Sequence, residues 1–358
     1  MYHTIRPGQI WLDTKGSRIQ AHGGSVMFLD GIYYWYGENK EKTNGKGDIW
    51  HWGVRCYTSK DLYNWEDEGL IIEPDTGDIT SSLHPTAMMD RPHIIYNAVT
   101  KKFVCWLKIM NRNGSQTETV LTADYILGPY TKVREGLKPL NMSAGDFDLA
   151  VAPDGKAYYY FERVHSETIC ADLTPDYTDV TGYYSTHFPH SGPPYVREAT
   201  AHFMRKGKHY LITSGTSGYL PNPSEVAVAD TWHGPFRVLG NPHPDDRSDT
   251  SYHSQISSVF KVPGKKDLYI ACADRWLPEF LHAGYEDYRK AFELAFHPDE
   301  EIRRDIDTIV SDEGLDKHLV HDVNRNTAIA DYVWLPLRFT NDMVYIDWKQ
   351  EWRIDDYE

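Results

Sequence analysis

The chain has 358 residues, 41% hydrophobic and 25% charged, an ordinary globular balance that excludes a disordered, collagenous or disulfide-stapled protein. Lys and Arg number 37 against 52 Asp and Glu, a net charge of −15. So acidic a surface repels phosphate backbones and anionic lipid, which argues against nucleic-acid and membrane partners. Aromatic residues reach 13%, which favours β structure and suits proteins that stack on sugar rings.

The N-terminal phrase Met1-Tyr-His-Thr-Ile-Arg-Pro-Gly8 has no apolar leader, and no run approaches the length of a membrane span. The four cysteines, Cys56, Cys105, Cys170 and Cys272, lie far apart, three of them in apolar runs. They read as buried free thiols in a reducing compartment, so a cytoplasmic protein is expected.

One phrase recurs, a short polar or glycine turn followed by an aromatic-rich run. It appears at Asp30-Gly-Ile-Tyr-Tyr-Trp-Tyr, Lys101-Lys-Phe-Val-Cys-Trp, Asp154-Gly-Lys-Ala-Tyr-Tyr-Tyr, Lys206-Gly-Lys-His-Tyr-Leu-Ile and Lys265-Lys-Asp-Leu-Tyr-Ile. The turns suit tight hairpins, and the runs are apolar on both faces, as strands between stacked sheets must be. A second phrase follows the first, at Thr58–Trp65, Thr122–Tyr130, Asp172–Tyr177 and Ala229–Phe236, and reads as an outer strand ending in a turn. A plain sandwich explains the alternation but not paired phrases in fixed order. The chain is therefore expected to be all-β, a single five-bladed propeller over residues 1–358. From Leu281 to His321 the pattern turns charged and helical. This predicts a helical insertion (281–321) in the last blade, with one helix around Tyr285–Phe296 and a second, capped by Asp299, carrying Ile302, Ile306 and Ile309/Val310 on one face. That stripe is expected to pack on its own blade. Tyr332–Phe339 and Met343–Trp348 are expected to complete the blade.

Phosphate-binding glycine motifs, HExxH, an EF-hand loop and GxSxG are absent. What remains is a set of polar residues beside the innermost strands, one or two per blade. These are Gln20-Ala-His22 with Glu38, Asp90-Arg-Pro-His, Asp146-Phe-Asp148, Arg197-Glu198 and Ser254-Gln255. Acids on different blades around one channel suit glycoside hydrolysis, which needs a protonated carboxyl and a second group across the scissile bond. A structural role stands beside each: Gln20 and His22 as partners of backbone groups, Asp90-Arg91 as a turn with an ion pair, Glu198 as a salt bridge to Arg197 or Arg275.

The phrases Gln20-Ala-His-Gly-Gly, Tyr34-Trp-Tyr-Gly-Glu38, Ser59-Lys-Asp-Leu-Tyr-Asn-Trp, Asp90-Arg-Pro-His-Ile-Ile-Tyr-Asn, Arg197-Glu-Ala-Thr, Tyr210-Leu-Ile-Thr-Ser-Gly-Thr and Ser254-Gln-Ile resemble, in this order, glycoside hydrolase family 43, and most of all its exo-β-1,3-galactanase branch. The resemblance implies a five-bladed propeller, an inverting mechanism and a pocket at the channel mouth. It implies that Glu198 is the general acid and that Gln255 positions or activates the water. Asp90 falls where the branch carries a Glu, as a helper acid or base. Asp146 matches a sugar-binding or pKa-setting acid, with Asp148 its rival. Gln20 stands where the wider family places an Asp base, as in the branch. Glu38, Thr216 and Gly218 match substrate contacts, and Gln20 and His22 are candidates from the same phrase. The expected activity is inverting, exo-acting hydrolysis of a β-galactosyl oligosaccharide, with β-1,3 the first linkage to try. An α-L-arabinofuranosidase or β-xylosidase, or a sugar-binding propeller without catalysis, are the alternatives. No cofactor is expected; a structural Ca²⁺ is compatible with the fold, but no ligand set is visible.

Overall fold

The computed structural model describes residues 1–321 and 326–358. Among them, five four-stranded antiparallel sheets follow one another along the chain, each with its strands in sequence order. The first contains β1 (His22–Leu29), β2 (Ile32–Glu38), β3 (Val54–Ser59) and β4 (Glu66–Ile72); the second β5 (Met88–Asn97), β6 (Lys102–Met110), β7 (Gln116–Ala123) and β8 (Thr131–Leu137). The third contains β9 (Ala144–Val151), β10 (Ala157–Arg163), β11 (Glu167–Leu173) and β12 (Val180–His187); the fourth β13 (Arg197–Arg205), β14 (Lys208–Gly215), β15 (Glu225–Ala229) and β16 (Arg237–Gly240). The fifth is β17 (Gln255–Lys261), β18 (Tyr269–Arg275), β19 (Asp331–Thr340) and β20 (Met343–Ile346). This is the expected five-bladed propeller.

The first recurring phrase is the turn into the second strand of each blade. Asp30 and Gly31 have φ of 50° and 84°, and Lys206 and Gly207 of 51° and 78°, the two positive values that a right-twisted two-residue hairpin needs. The second strands are buried on both faces; β6, β10, β14 and β18 have few accessible residues. The second phrase differs slightly from expectation: in the first blade it starts at the end of β3 and makes the turn into the outermost strand. Outermost strands such as β12 are exposed because nothing stacks beyond them.

Neighbouring blades share hydrophobic clusters, and the ring closes between the first and last. Trp35 of β2 lies 4.7 Å from Trp334 and 4.6 Å from Tyr332 of β19, ring centre to ring centre. Ile5 and Trp352 exchange backbone hydrogen bonds of 2.9 and 3.0 Å across the same seam. All four cysteines are buried and free.

Between β18 and β19 the chain leaves the sheet for α1 (Tyr285–Ala295), α2 (Glu300–Arg304), α3 (Ile306–Asp312) and α4 (His318–His321). The second predicted helix is corrected. It breaks at Asp305, which closes α2 and opens α3 at φ −92° and ψ 12°, as a residue that competes with helical backbone does. Asp299 caps α2 as expected, accepting from the Glu301 N–H at 2.9 Å. The break splits the apolar stripe, so in α2 and α3 only Val310 is buried. Val310 joins Tyr288, Ala291 and Leu319 against Trp276, Leu277 and Phe280 of the fifth blade and Tyr219 and Leu220 of the fourth. The insertion therefore packs on two blades, beside the channel mouth.

Candidate active site

Most of the candidate residues start the innermost strands β1, β5, β9, β13 and β17, at one end of the channel. In three blades a β-bulge follows the candidate: the register shifts between His22 and Ser25, Asp90 and His93, and Glu198 and Ala201. The residue after each candidate, Gly23, Arg91 or Ala199, has φ of 61°, 56° or 51°. A bulge adds a residue, bends the strand and re-aims the side chain before it. Non-glycine residues in this conformation are strained, and such strain gathers at functional sites. At Gly23 a Cβ would lie 2.5 Å from Glu38 Oε1, so the missing side chain lets that carboxylate approach.

A chain of alternating charges crosses the first three blades. Lys40 Nζ lies 2.7 Å from Glu38 Oε2 and 3.9 Å from Asp90 Oδ1. Lys108 lies 3.3 Å from Asp90 Oδ2 and 2.6 Å from Asp146 Oδ1. Arg91 reaches Asp146 Oδ2 at 2.9 Å, and its backbone N–H donates to Glu38 Oε1 at 3.0 Å. Trp50 Nε1 donates to Asp90 Oδ1 at 2.7 Å. Burial pushes the Asp146 carboxyl up, but Arg91 and Lys108 outweigh it and hold it at about 2. Glu38 is raised to about 7 by burial, despite Lys40.

Glu198 stands apart from this chain. Its polar partner is neutral, Gln255 Nε2 at 3.4 Å, and among the described residues no cation forms an ion pair with it. Burial raises its carboxyl well above the ordinary range, Asp146 and Glu162 raise it further, and Lys108 and Arg91 oppose them. The site's cations are engaged by other carboxylates, which leaves burial and the neighbouring acids to favour the protonated form of Glu198. Arg197 does not neutralise it: its Nη2 donates to Thr213 O at 2.6 Å and Pro223 O at 3.3 Å, behind the strand. Gln255 Nε2 also donates to Ser214 Oγ at 3.0 Å, and Trp276 Nε1 donates to Gln255 Oε1 at 3.4 Å.

The structure separates the other candidates. Gly218 is exposed and lines the depression formed with Ser214, Tyr219, Gln255, Asp274 and Trp276. His22 is fully buried, between Asp274 at 2.9 Å and Gln20 at 3.2 Å, and stacks on Tyr332. Gln20 donates to Ala328 O at 2.9 Å. The pair satisfies neighbouring groups under the site, the structural role weighed for both. Asp148 accepts the His202 N–H at 2.7 Å and its own neighbour Leu149 N–H at 2.7 Å, deeper along β9, and burial raises it to about 7. It ties two blades together. Thr216 spends its hydroxyl on Val196 O at 3.0 Å. Asp90-Arg91 is not a local ion pair, because Arg91 pairs with Asp146.

Several residues went unforeseen. Lys108 lies opposite Asp90 in the β5–β6 register, and a lysine ending the run Phe103-Val-Cys-Trp-Leu was the signal for it. Trp50 and Tyr219 stack at 6.1 Å, and Tyr219 meets Trp276 at 5.1 Å; they come from three irregular segments and had no signal. Among the described residues no group of three or more His, Cys, Asp or Glu side chains has metal-binding geometry.

No curated protein matches the chain. Among solved structures, a family-43 β-1,3-galactosidase superposes with a TM-score of 0.77 at 28% identity over 99% of this chain; the chain spans 64% of that protein's length. A second family-43 β-1,3-galactosidase, solved with galactodeoxynojirimycin, gives 0.75 at 26% identity over 98% of this chain and 100% of its own. An exo-β-1,3-galactanase from Phanerochaete chrysosporium, solved with galactose, gives 0.75 at 24% identity over 98% and 68%, a likeness of fold. The family described as Glycosyl hydrolases family 43 matches residues 20–288, more than half of the chain. The chain belongs to glycosyl hydrolase family 43 and is a glycoside hydrolase.

Proposed function

We propose that the protein is an inverting, exo-acting hydrolase of terminal β-galactosyl units, β-1,3-linked, with Glu198 as general acid. One observation carries this: Glu198 is a half-buried carboxyl without an ion-pair partner among the described residues, while both cations that act on it, Arg91 and Lys108, are paired to Asp146. Such a group donates a proton to a glycosidic oxygen as the bond breaks. The galactosyl specificity rests on the two β-1,3-galactosidases above 25% identity.

Inversion needs a second group across the sugar, about 6.5–9.5 Å from the acid. Gln255 touches Glu198, so in this arrangement it orients the acid and one face of the sugar. Asp90 sits two blades away around the channel, and we assign it the attacking water's proton. Trp50 Nε1 and Lys108 hold that carboxylate in place. Tyr219 and Trp276, backed by the insertion, wall the mouth and favour a chain end over a chain interior.

The test is a panel of aryl glycosides: β-galactoside, β-xyloside and α-L-arabinofuranoside. Cleavage of the galactoside alone, reduced roughly 100-fold or more in Asp90→Asn, is expected. Cleavage of the pentosides alone overturns the galactosyl assignment, and an Asp90→Asn variant at the wild-type rate overturns the base.

A further inference from the structure

Behind β13, on the face away from Glu198, lies a second cleft of about 330 Å³, within the about 300–1,000 Å³ of ligand pockets. The loop before β13 supplies Tyr195 and the N-terminus of α1 supplies Tyr285, while Arg197 and Glu225 line it from β13 and β15. Asn222 borders both this cleft and the depression at the mouth, so a single loop separates the two.

The lining is built and unspent. Arg197 is only 8% exposed; it donates from Nε and Nη2, to Thr213 and Pro223, and Nη1 has no hydrogen-bond partner among the described residues. Glu225 Oε1 lies 4.0 Å from Arg197 Nε, and no described residue donates a hydrogen bond to its carboxylate. Tyr195 is 49% exposed, with its hydroxyl donating to Glu293 of α1 at 3.3 Å, so its ring is held in place with a free surface. A donor fork, an acceptor carboxylate and tyrosine rings are the groups that bind a polyol: hydroxyls donate to one charge and accept from the other, while C–H faces stack on a ring. The carboxylate beside the guanidinium cancels its charge, which disfavours an anionic ligand.

We propose that this cleft is a second sugar-binding site, taking a neutral pyranose; that the sugar is galactose rests on the function proposed above. The site gives the helical insertion a second task, because α1 supplies Tyr285 and steadies Tyr195. The occupant is either a distal unit of the chain being cleaved or a unit of a separate chain.

The test uses the full chain carrying Glu198→Gln, so that ligand survives, with β-1,3-galactotriose and xylotriose as probes, read by crystal soaking and titration calorimetry. The expected result is a pyranose on Tyr195, and a binding event weakened at least tenfold by Tyr195→Ala and by Glu225→Gln. In the otherwise wild-type chain those two variants keep aryl glycoside turnover within twofold, and their far-ultraviolet circular dichroism stays unchanged. A ligand continuous with the mouth marks a distal subsite and a separate ligand an independent site; both support the proposal. Binding of xylotriose alone supports the cleft and overturns the galactosyl assignment. An empty cleft in soaked crystals, with binding that both variants leave unchanged, overturns the proposal and leaves the proposed activity standing.

Discussion

Asp146→Asn isolates the electrostatics on which the general-acid assignment depends. After burial, Asp146 is the largest influence raising the Glu198 carboxyl, while Lys108 and Arg91 lower it. Both cations are ion-paired to Asp146, at 2.6 and 2.9 Å. The amide keeps the shape and deletes the charge, so a raising influence vanishes and two lowering ones lose their nearest counter-charge. All three changes push the Glu198 pKa down. A charge at close range moves a carboxyl's pKa by about 1–3, and each step of one is a factor of ten in protonation. Glu198 must be protonated to act, so the alkaline limb of the kcat/KM profile is expected to move acidward by about one pH unit or more. Above that limb the variant's rate falls below wild type by about tenfold for every pH unit the limb has moved. Removing one partner from a buried pair costs about 3–5 kcal/mol, against a whole-domain stability of about 5–15 kcal/mol. Thermal melts therefore accompany the profile and show which pH values are usable. An alkaline limb that stays put, or moves to higher pH, in folded Asp146→Asn protein refutes the reasoning.

The same geometry carries three further expectations. Trp50→Phe keeps the ring beside Tyr219 but removes the hydrogen bond to Asp90; such bonds to charged groups are worth about 1.5–3 kcal/mol, so kcat should fall at least tenfold, and an unchanged kcat removes Trp50 from the site. Ala199→Gly should hold or raise the melting temperature and keep activity, whereas Ala199→Val, a β-branched residue at φ of 51°, should cost about 1–3 kcal/mol and lower kcat by misaiming Glu198; equal melts for the two variants contradict the strain argument. Burial holds His51, His93 and His202 at about 3 and His187, His243 and His253 at about 4. Below about pH 6.5 the unfolded chain binds protons that these native imidazoles refuse, so their contribution is present above about pH 6.5 and is lost as pH falls toward about 4 and 3. Burial lowers His22 and His209 as well, and Glu38, Asp148, Glu118, Glu198, Asp249 and Asp331, all raised chiefly by burial, pull the other way. The eight imidazoles outnumber the six carboxyls, so the urea midpoint should fall between about pH 6 and 4.5; a rise would contradict the balance.

The ring of blades was legible because local chemistry and global fold agree. Asp30-Gly31 and Asp154-Gly155 are turns on any reading, and Tyr159, Tyr210 and Trp334 fill the spaces between sheets whatever the loops do. Glu198, Asp90 and Asp146 were legible as acids beside inner strands. Their partners were not, because the network forms across blades: Lys108 meets Asp146 from 38 positions away, and Trp50 meets Asp90 from 40. The bulges were hidden as well. Gly23 hints at one, but Arg91 and Ala199 adopt the same backbone with no residue that prefers it. His22 reads as a sugar contact because its phrase is polar, yet Asp274, from the far end of the chain, takes its ring nitrogen. The helix break at Asp305 stays hidden because the spacing of Ile302, Ile306 and Ile309 masks one acid between two short turns.

Inverting hydrolysis with Glu198 as the acid is tested most directly by ¹H NMR of β-1,3-galactobiose cleavage, with wild-type and Glu198→Gln protein side by side. α-Galactose is expected to appear first, and the variant's turnover to fall by about 10²–10⁴-fold. β-Galactose as the first product, or a variant that turns over at the wild-type rate, contradicts the assignment.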